Sequence, residues 1–303
     1  MTTYVQKRDL VSILDLSKEE IEQILSLSTE MKNGCTPDLC KGDILASCFF
    51  EPSTRSRLSF ESAMHRLGGS VIGFSDSATT STAKGETLYD TMRIISSYAD
   101  ILVFRHPQDG AARVAADASD KPLINAGDGA NQHPTQTLID LFTIRHLFDT
   151  IDGLHIAIAG DLKYARTVHS LVKALSLYSV RLYFISPEML QLPDQNANEL
   201  RKKGLKFSFH ECLTEILPKV DLLYMTRIQK ERFLPLMPLT APMVFSRAHL
   251  TKVKSGFRIL HPLPRKDELD PSIDDTPHAA YFQQAANALP VRMAILASLL
   301  GRV

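Results

Sequence analysis

The sequence contains no tryptophan and only four cysteines in 303 residues. Four cysteines are too few for a disulfide-built scaffold, and Cys35 with Cys40 has no second cysteine or histidine pair at zinc-site spacing. No apolar run approaches the roughly 18 residues of a membrane-spanning helix. The N-terminal residues lack the apolar stretch and cleavage site of an export signal. We therefore expect a cytoplasmic protein with reduced thiols, no metal site and no membrane segment.

Charge of either sign is also not in excess, because 34 Lys and Arg residues balance 34 Asp and Glu residues. A neutral chain has no whole-surface field to collect nucleic acid or anionic lipid. Hydrophobic residues at 44% and charged residues at 22% are ordinary for a globular protein and exclude a disordered chain. At about 100–200 residues per domain, the length predicts two domains. Any anion site must therefore be a local concentration of cations.

Strand-length apolar runs alternate with amphipathic helical segments along the chain. The predicted strands are 44–50, 70–74, 101–104, 122–125, 155–159, 180–185, 220–225 and 258–260. This alternation is typical of the α/β class and predicts two doubly wound parallel-sheet domains joined by helices. The helical pattern at 134–147 is expected to join them. A last helical pattern at 279–300 could pack on the second unit or return to the first.

A turn rich in hydroxyl groups and arginines follows the first predicted strand. Residues 51–57 read Glu-Pro-Ser-Thr-Arg-Ser-Arg and lead into a helix. Ser53 or Thr54 could be an ordinary N-cap. A cap does not explain Arg55 in the first turn, where the helix dipole disfavours cations. A bound anion would reverse that cost, so this turn is a candidate phosphate site.

Cations also follow other predicted strands, at Arg105, Arg166, Arg227 and Arg265. Open α/β sheets bind ligands at this carboxyl edge. His133 and Gln136 open a helix and can face one ligand, and the dipole there favours a neutral imidazole that donates to a carbonyl oxygen. A structural histidine at a helix start explains His133 equally, and a solvated loop lysine explains Lys84.

No Ser-His-Asp order, carboxylate pair or metal cluster accompanies these cations in the sequence. The pattern therefore predicts a site that binds anions and acts by positioning and charge stabilisation. The turn at 160–167 lacks a glycine fingerprint, which argues against a dinucleotide-binding dehydrogenase.

Several motifs together resemble the transcarbamylases, the aspartate/ornithine carbamoyltransferase family. Four of them lie at 50–57, 84–87, 133–136 and 261–265. The segments 225–232 and 277–285 resemble the catalytic chains of the bacterial aspartate branch in particular. The resemblance covers nearly the whole chain. It implies transfer of a carbamoyl group from carbamoyl phosphate to L-aspartate at the start of pyrimidine biosynthesis, with no cofactor and no metal.

The resemblance also implies a domain plan and a set of site residues. Residues 1–133 with 287–303 would bind carbamoyl phosphate, 134–149 would form the interdomain helix, and 150–286 would bind aspartate. Carbamoyl phosphate would meet Ser53, Thr54, Arg55, Ser56, Arg105, His133, Gln136, Leu263 and Pro264. L-Aspartate would meet Lys84, Arg166, Arg227 and Gln229. The catalytic set would be Thr54, Arg55, Lys84, Arg105 and His133.

By the same resemblance, the chain would form a homotrimer with shared active sites. A neighbouring copy would supply Ser81 and Lys84, and Glu51 with Arg166 and Arg232 would hold a closed state of the domains. Separate regulatory chains or a dihydroorotase are further possible partners, and the sequence leaves this open. Ala165 stands where relatives commonly have glycine, so a positive φ there would strain the chain.

Two alternatives remain at this point. An ornithine enzyme would share the carbamoyl phosphate site, but Pro262 stands where those enzymes resemble a cysteine-containing version, and the Arg227 segment suits a dicarboxylate better. A non-catalytic homologue that serves as a structural partner of dihydroorotase is the second. It would be expected to lose site residues such as Arg55, Lys84 or His133, which are all present.

Overall fold

The computed structural model describes residues 9–34, 38–76, 80–228 and 243–303. The chain divides into two compact units, which we call unit 1 and unit 2. Unit 1 comprises Met1–Phe142 with Asn287–Val303, and unit 2 comprises Thr143–Ala286. No described helix combines the length and apolarity needed to cross a membrane.

Unit 1 contains a parallel four-stranded sheet in the order β2-β1-β3-β4. Its strands are β1 Ile44–Phe49, β2 Ser70–Phe74, β3 Ile101–His106 and β4 Leu123–Asp128. Its helices are α1 Lys18–Lys32, α2 Arg55–Arg66, α3 Leu88–Ser96, α4 Ala111–Ala118 and α9 Ala288–Leu299. All six residues of β4 are buried, as expected of parallel strands covered on both faces.

Unit 2 contains a parallel five-stranded sheet in the order β7-β6-β5-β8-β9. Its strands are β5 His155–Ala159, β6 Arg181–Ile185, β7 Lys206–His210, β8 Leu222–Met225 and β9 Arg258–Leu260. Its helices are α6 Arg166–Leu175, α7 Asp194–Lys202 and α8 Tyr281–Ala286. The prediction of two parallel-sheet α/β domains is confirmed. The sequence analysis missed β7, because this edge strand alternates phenylalanine with polar residues and contains no apolar run.

The chain passes between the two units twice, and a helix lies at each of these points. Helix α5 Pro134–Phe148 runs through the boundary, which lies between Phe142 and Thr143. The single helix predicted at 279–300 is wrong, because α8 and α9 are separate helices that meet at Asn287. Helix α9 returns to unit 1 and packs against α1 and α2.

Candidate active site

The turn between β1 and α2 leaves the start of the helix without a side-chain cap. Thr54 precedes α2 with helical angles (φ −81°, ψ −61°) and makes no capping hydrogen bond. Thr54 thus occupies the N-cap position but does not cap the helix with its side chain, and the first-turn N–H groups lack that side-chain partner. Ser56 is buried, Ser53 is half-buried, and Arg55 is exposed as a whole residue. Burial around the Arg55 guanidinium lowers its pKa.

Arg105 lies beside this turn because β1 and β3 are paired in parallel, with Phe49 opposite Arg105. The Arg105 Nε donates to Glu51 Oε1 at 2.7 Å, and the two side chains are only 17% and 20% exposed. Glu51 therefore partners a cation of its own unit. Its predicted part in domain closure stays a prediction, and Arg232 lies outside the described residues.

Arg292 is a third cation at this edge, which the sequence analysis missed. It lies on α9, is 2% exposed, and donates from Nη1 to the carbonyl oxygen of Ser56 at 2.9 Å and to the hydroxyl of Ser59. Its guanidinium carbon lies 4.4 Å from the centroid of the Phe60 ring. A sequence signal existed, since this arginine stands in the middle of an otherwise apolar helix.

Three guanidinium groups lie at one edge of unit 1, and the Glu51 carboxylate pairs with one of them, Arg105. Burial, and then the charges of Arg105 and Arg55, lower the pKa of Arg292 to about 9. The positive charges of Arg105 and Arg55 lower this pKa because they repel the protonated Arg292 guanidinium. A bound anion would offset that repulsion. The edge is therefore suited to an anion of more than one negative charge, such as a phosphate.

His133 lies directly before α5 and is 5% exposed. Its carbonyl oxygen accepts from the backbone N–H groups of Gln136 at 3.1 Å and Thr137 at 3.2 Å. The Gln136 side-chain nitrogen donates to Asp140 Oδ1 at 2.8 Å. The side-chain nitrogen of Gln136 is therefore already bonded within α5. The predicted contact of Gln136 with a ligand must use Oε1, or the bond to Asp140 must break.

In unit 2, a buried aspartate shapes the loop before α6. Asp161 Oδ1 accepts from the backbone N–H groups of Lys163 at 3.1 Å and Tyr164 at 2.8 Å. Arg166 is the first residue of α6 and is half-buried. Ala165 has a φ of −80°, so no glycine is needed there and the substitution causes no strain.

A close backbone approach ties this loop to the end of β8. Gly160 has a φ of +112°, and a Cβ on it would lie 2.2 Å from the carbonyl oxygen of Thr226. The Thr226 hydroxyl donates to the carbonyl oxygen of Ala159 at 3.1 Å. Arg227 follows Thr226 directly and is half-buried. The Gln229 contact falls outside the described residues.

The loop after β9 is held by a buried His261–Glu268 pair. His261 Nδ1 accepts from the Leu263 N–H at 2.8 Å, so its Nε2 carries the proton and donates to Glu268 at 2.9 Å. Burial favours protonated Glu268, but its hydrogen bonds from His261 and the backbone outweigh burial and lower its pKa. Leu263 has a φ of +50°, and its peptide bond to Pro264 is cis.

The remaining predicted cations have local roles or are exposed. Arg265 donates to both carboxylate oxygens of Asp274, so its charge is already neutralised within unit 2. Ser81 and Lys84 begin and end a short 3-10 turn on unit 1, and both are exposed. Among the described residues, no group of three or more His, Cys, Asp or Glu side chains could hold a metal ion.

Both halves of the chain match one family. Residues 8–146 match the carbamoyl-P binding domain of aspartate/ornithine carbamoyltransferases, and residues 152–299 match their Asp/Orn binding domain. The chain belongs to the aspartate/ornithine carbamoyltransferase family. The resemblance inferred from the motifs is thereby confirmed.

Individual members of the carbamoyltransferase family are similar over almost their full length. The aspartate carbamoyltransferase catalytic subunit of Thermococcus onnurineus is 52% identical over 301 residues, covering 97% of each chain. The catalytic subunit of M. jannaschii aspartate transcarbamoylase is 48% identical, with a TM-score of 0.88 over 97% of this chain and 98% of that one. Trypanosoma cruzi aspartate transcarbamoylase, solved with carbamoyl aspartate and phosphate, is 39% identical, with a TM-score of 0.91 over 98% and 97%.

Proposed function

We propose that this chain is an aspartate carbamoyltransferase, which transfers the carbamoyl group of carbamoyl phosphate to the amine of L-aspartate. The products are N-carbamoyl-L-aspartate and phosphate, as in the first committed chemistry of pyrimidine synthesis. Full-length similarity to catalytic subunits of that name supports the choice of aspartate as acceptor.

The single observation that carries the proposal is the guanidinium cluster of unit 1. Arg55 begins α2 and Arg105 lies opposite Phe49 on β3, both within the segment that matches the carbamoyl-P binding domain. The buried Arg292 comes from outside that segment, on α9 of unit 1, and donates to the carbonyl oxygens of Arg55 and Ser56. A phosphate group offsets their mutual repulsion and accepts hydrogen bonds from them. Ser53, Thr54 and Ser56 bind the same phosphate through hydroxyl or backbone groups at the uncapped start of α2.

The reaction needs positioned donors and no covalent enzyme intermediate. The deprotonated aspartate amine attacks the carbamoyl carbon and forms a C–N bond, which moves the carbonyl electrons onto oxygen. When this tetrahedral intermediate collapses, the C=O bond re-forms and the C–O bond to phosphate breaks. Arg105, His133 and Thr54 stabilise the tetrahedral oxyanion, and the arginines stabilise the charge that grows on the phosphate. The amine proton passes to the departing phosphate. Leu263, Pro264 and Gln136 orient the carbamoyl end.

The acceptor side of the proposal rests on unit 2. Arg166 and Arg227 bind the carboxylates of L-aspartate, and Gln229 with Lys84 completes the set. A dicarboxylate suits two guanidinium groups, whereas the cationic side chain of ornithine would be repelled by them.

The test compares acceptors in one assay. Purified chain is incubated with ¹³C-carbamoyl phosphate and either L-aspartate or L-ornithine, and the carbamoylated product is followed by NMR. We expect carbamoyl aspartate and little citrulline. Citrulline as the main product would favour the ornithine branch, and no product from a folded chain would favour the non-catalytic homologue.

We also propose that the chain acts in the cytoplasm as a homotrimer in which Ser81 and Lys84 serve the site of a neighbouring copy. Their exposure on unit 1 supports this assignment. If sites are shared, Lys84→Ala and Arg55→Ala chains, each inactive alone, should regain activity when they are dissociated, mixed and reassociated. Continued inactivity of a mixed trimer would contradict the sharing. Regulatory chains remain a further possible partner.

A further inference from the structure

Asp128, at the end of β4, is a fully buried carboxylate that the reaction described above does not use. Its Oδ1 accepts from the side-chain nitrogen of Asn125 at 2.9 Å and the backbone N–H of Gln132 at 3.2 Å. Its Oδ2 accepts from the backbone N–H of Gly110 at 3.0 Å and the side-chain nitrogen of Asn131 at 3.1 Å. Four N–H donors satisfy the acceptor capacity of one carboxylate.

One donor, Asn125, lies on β4 itself, and the other three belong to two different loops. Gly110 lies directly before α4, in the connection that leaves β3 after His106, one residue beyond Arg105. Gln132 lies in the connection from β4 to α5 and directly precedes His133. Asp128 therefore bonds both to the segment that follows one reacting cation and to the segment that presents the imidazole.

The main chain of His133 is consequently fixed on both sides. On its N-terminal side, Gln132 is bonded to the Asp128 carboxylate. On its C-terminal side, its own carbonyl oxygen accepts the first N–H groups of α5. Bonds to an ionised acceptor are about twice as strong as bonds between neutral groups, so the carboxylate holds this loop more firmly than a neutral side chain would.

We propose that Asp128 is a positioning residue for carbamoyl transfer, which holds His133 at the place where the carbonyl oxygen of the substrate becomes an oxyanion. This inference rests on the proposed function. Catalytic donors must be fixed before the reaction to stabilise a developing charge, and displacements of about 1 Å can cost about 100-fold in rate. Asp128 acts through the loop and touches no substrate.

The test is Asp128→Asn, which preserves shape but replaces one acceptor oxygen with a donor nitrogen. Two of the four N–H groups then lose their acceptor and face another donor. We expect kcat to fall by about 10- to 100-fold. The matched control is Asp109→Asn. Asp109 is exposed and accepts only the Ala130 N–H among its described bonds, at 2.6 Å, which an asparagine oxygen can also accept. Its kcat should stay within about twofold.

Measurements of phosphate binding distinguish a positioning role of Asp128 from a general loss of structure. The proposed phosphate-binding residues on α2 and α9, Arg55, Ser56 and Arg292, make no described bond to Asp128. The affinity of Asp128→Asn for inorganic phosphate and its KM for carbamoyl phosphate should therefore stay within about threefold of wild type. A wild-type kcat in Asp128→Asn, or a phosphate affinity that falls as far as kcat, would overturn the proposal. If Asp128→Asn does not fold, Asn131→Ala removes one donor from an exposed residue, and its kcat should fall severalfold with phosphate binding retained.

A second readout does not depend on activity. The ring signals of His133, assigned by comparison with a His133→Gln variant, are recorded by ¹H–¹³C NMR. They should shift or broaden in Asp128→Asn and stay unchanged in Asp109→Asn. A wild-type chain that makes no carbamoyl aspartate would refute the proposed function, and the His133 signals would then decide the positioning by themselves. Unchanged signals would refute it.

Discussion

The two units use a buried aspartate at a strand end in different ways. In unit 1, the Asp128 carboxylate bonds to two separate loops. In unit 2, Asp161 bonds to backbone N–H groups of its own loop, and the tie to the neighbouring strand is made by Thr226. Both arrangements set the main chain just before a residue proposed to contact substrate, His133 in one case and Arg166 in the other.

The cations differ more than the aspartates do. Unit 1 gathers three guanidinium groups close enough to lower a pKa, one of them buried on a helix from the far end of the chain. In unit 2, Arg166 begins α6 and Arg227 follows β8, and both are half-buried. Arg265 is paired with Asp274 there, as Arg105 is paired with Glu51 in unit 1. The difference teaches that the two proposed anion sites are built differently: the proposed phosphate site has a buried guanidinium beside two others, and the proposed carboxylate site has two half-buried arginines.

The largest effect is expected when an arginine of unit 1 is removed, and it should be a loss of turnover. Arg55→Ala should lower kcat by about 10²- to 10³-fold, because a donor to the developing phosphate charge is lost. The control is Arg57→Ala in the same helical turn, where the guanidinium pairs with Glu61 at 3.6 Å. Steady-state kinetics check both variants. A near-normal kcat in Arg55→Ala would contradict the role of the cluster.

The matching substitution in unit 2 should act on binding instead. Arg227→Ala should raise the KM for L-aspartate about 10- to 100-fold, because hydrogen bonds to charged groups contribute about 1.5–3 kcal/mol. The KM for carbamoyl phosphate should change little. Arg201→Ala, an exposed arginine of the same unit, is the control. If Arg227→Ala raised both KM values equally, unit 2 would not be specific for L-aspartate binding.

The close approach in unit 2 predicts a large effect on stability. Gly160→Ala should destabilise the fold by about 2–4 kcal/mol, because the new Cβ would meet the Thr226 carbonyl and the φ is positive. Gly153→Ala, with a φ of +86° and nothing within 4 Å of the new Cβ, should cost about 1 kcal/mol. Urea unfolding measures both free energies. Equal losses would mean that the contact with Thr226 is unimportant.

The smallest predicted effect concerns the neutralised cation. The hydrogen bond from Arg265 lowers the pKa of Asp274. A carboxylate with a lowered folded-state pKa stabilises the fold fully above its unfolded value of about 4, and this contribution is lost as pH falls through the folded pKa. The pair is partly exposed, so the contribution is at most about 1 kcal/mol.

Urea unfolding of wild type and Asp274→Asn between pH 5 and pH 3 checks this prediction. The stability advantage of wild type should be present at the upper end of this range and shrink toward its lower end. Asp275→Asn, at the exposed neighbouring aspartate, should show no such trend. An advantage for wild type that grows as the pH falls would show that the sign of the pKa shift is wrong.

Local patterns in the sequence predicted much of the fold. The bounds of β2, β5 and β9 were predicted to the residue, because each is a short apolar run between turn residues. Strand β7 was missed because its two phenylalanines alternate with polar residues. The break between α8 and α9 was missed because both segments continue one apolar pattern.

Long-range contacts in the site could not be predicted in this way. The motif at 50–57 drew attention to Arg55, but Arg292 is 237 residues further along the chain, and no local periodicity relates the two. The shaping roles of Asp128 and Asp161 were also missed. Each looks like an ordinary turn residue in sequence, and only the folded loops reveal the N–H groups that its carboxylate accepts.

The position of Arg292 on α9 has a consequence for synthesis. A ribosome produces all four strands of unit 1 before it begins unit 2, yet α9 emerges only after unit 2 is complete. Domains generally begin to fold as they emerge, N-terminal part first. The surfaces of α1 and α2 that pack against α9 therefore stay uncovered while the more than 140 intervening residues are translated. Arg292 is the last of the three guanidinium groups to be synthesised, so the proposed phosphate site stays incomplete until nearly every residue has been made.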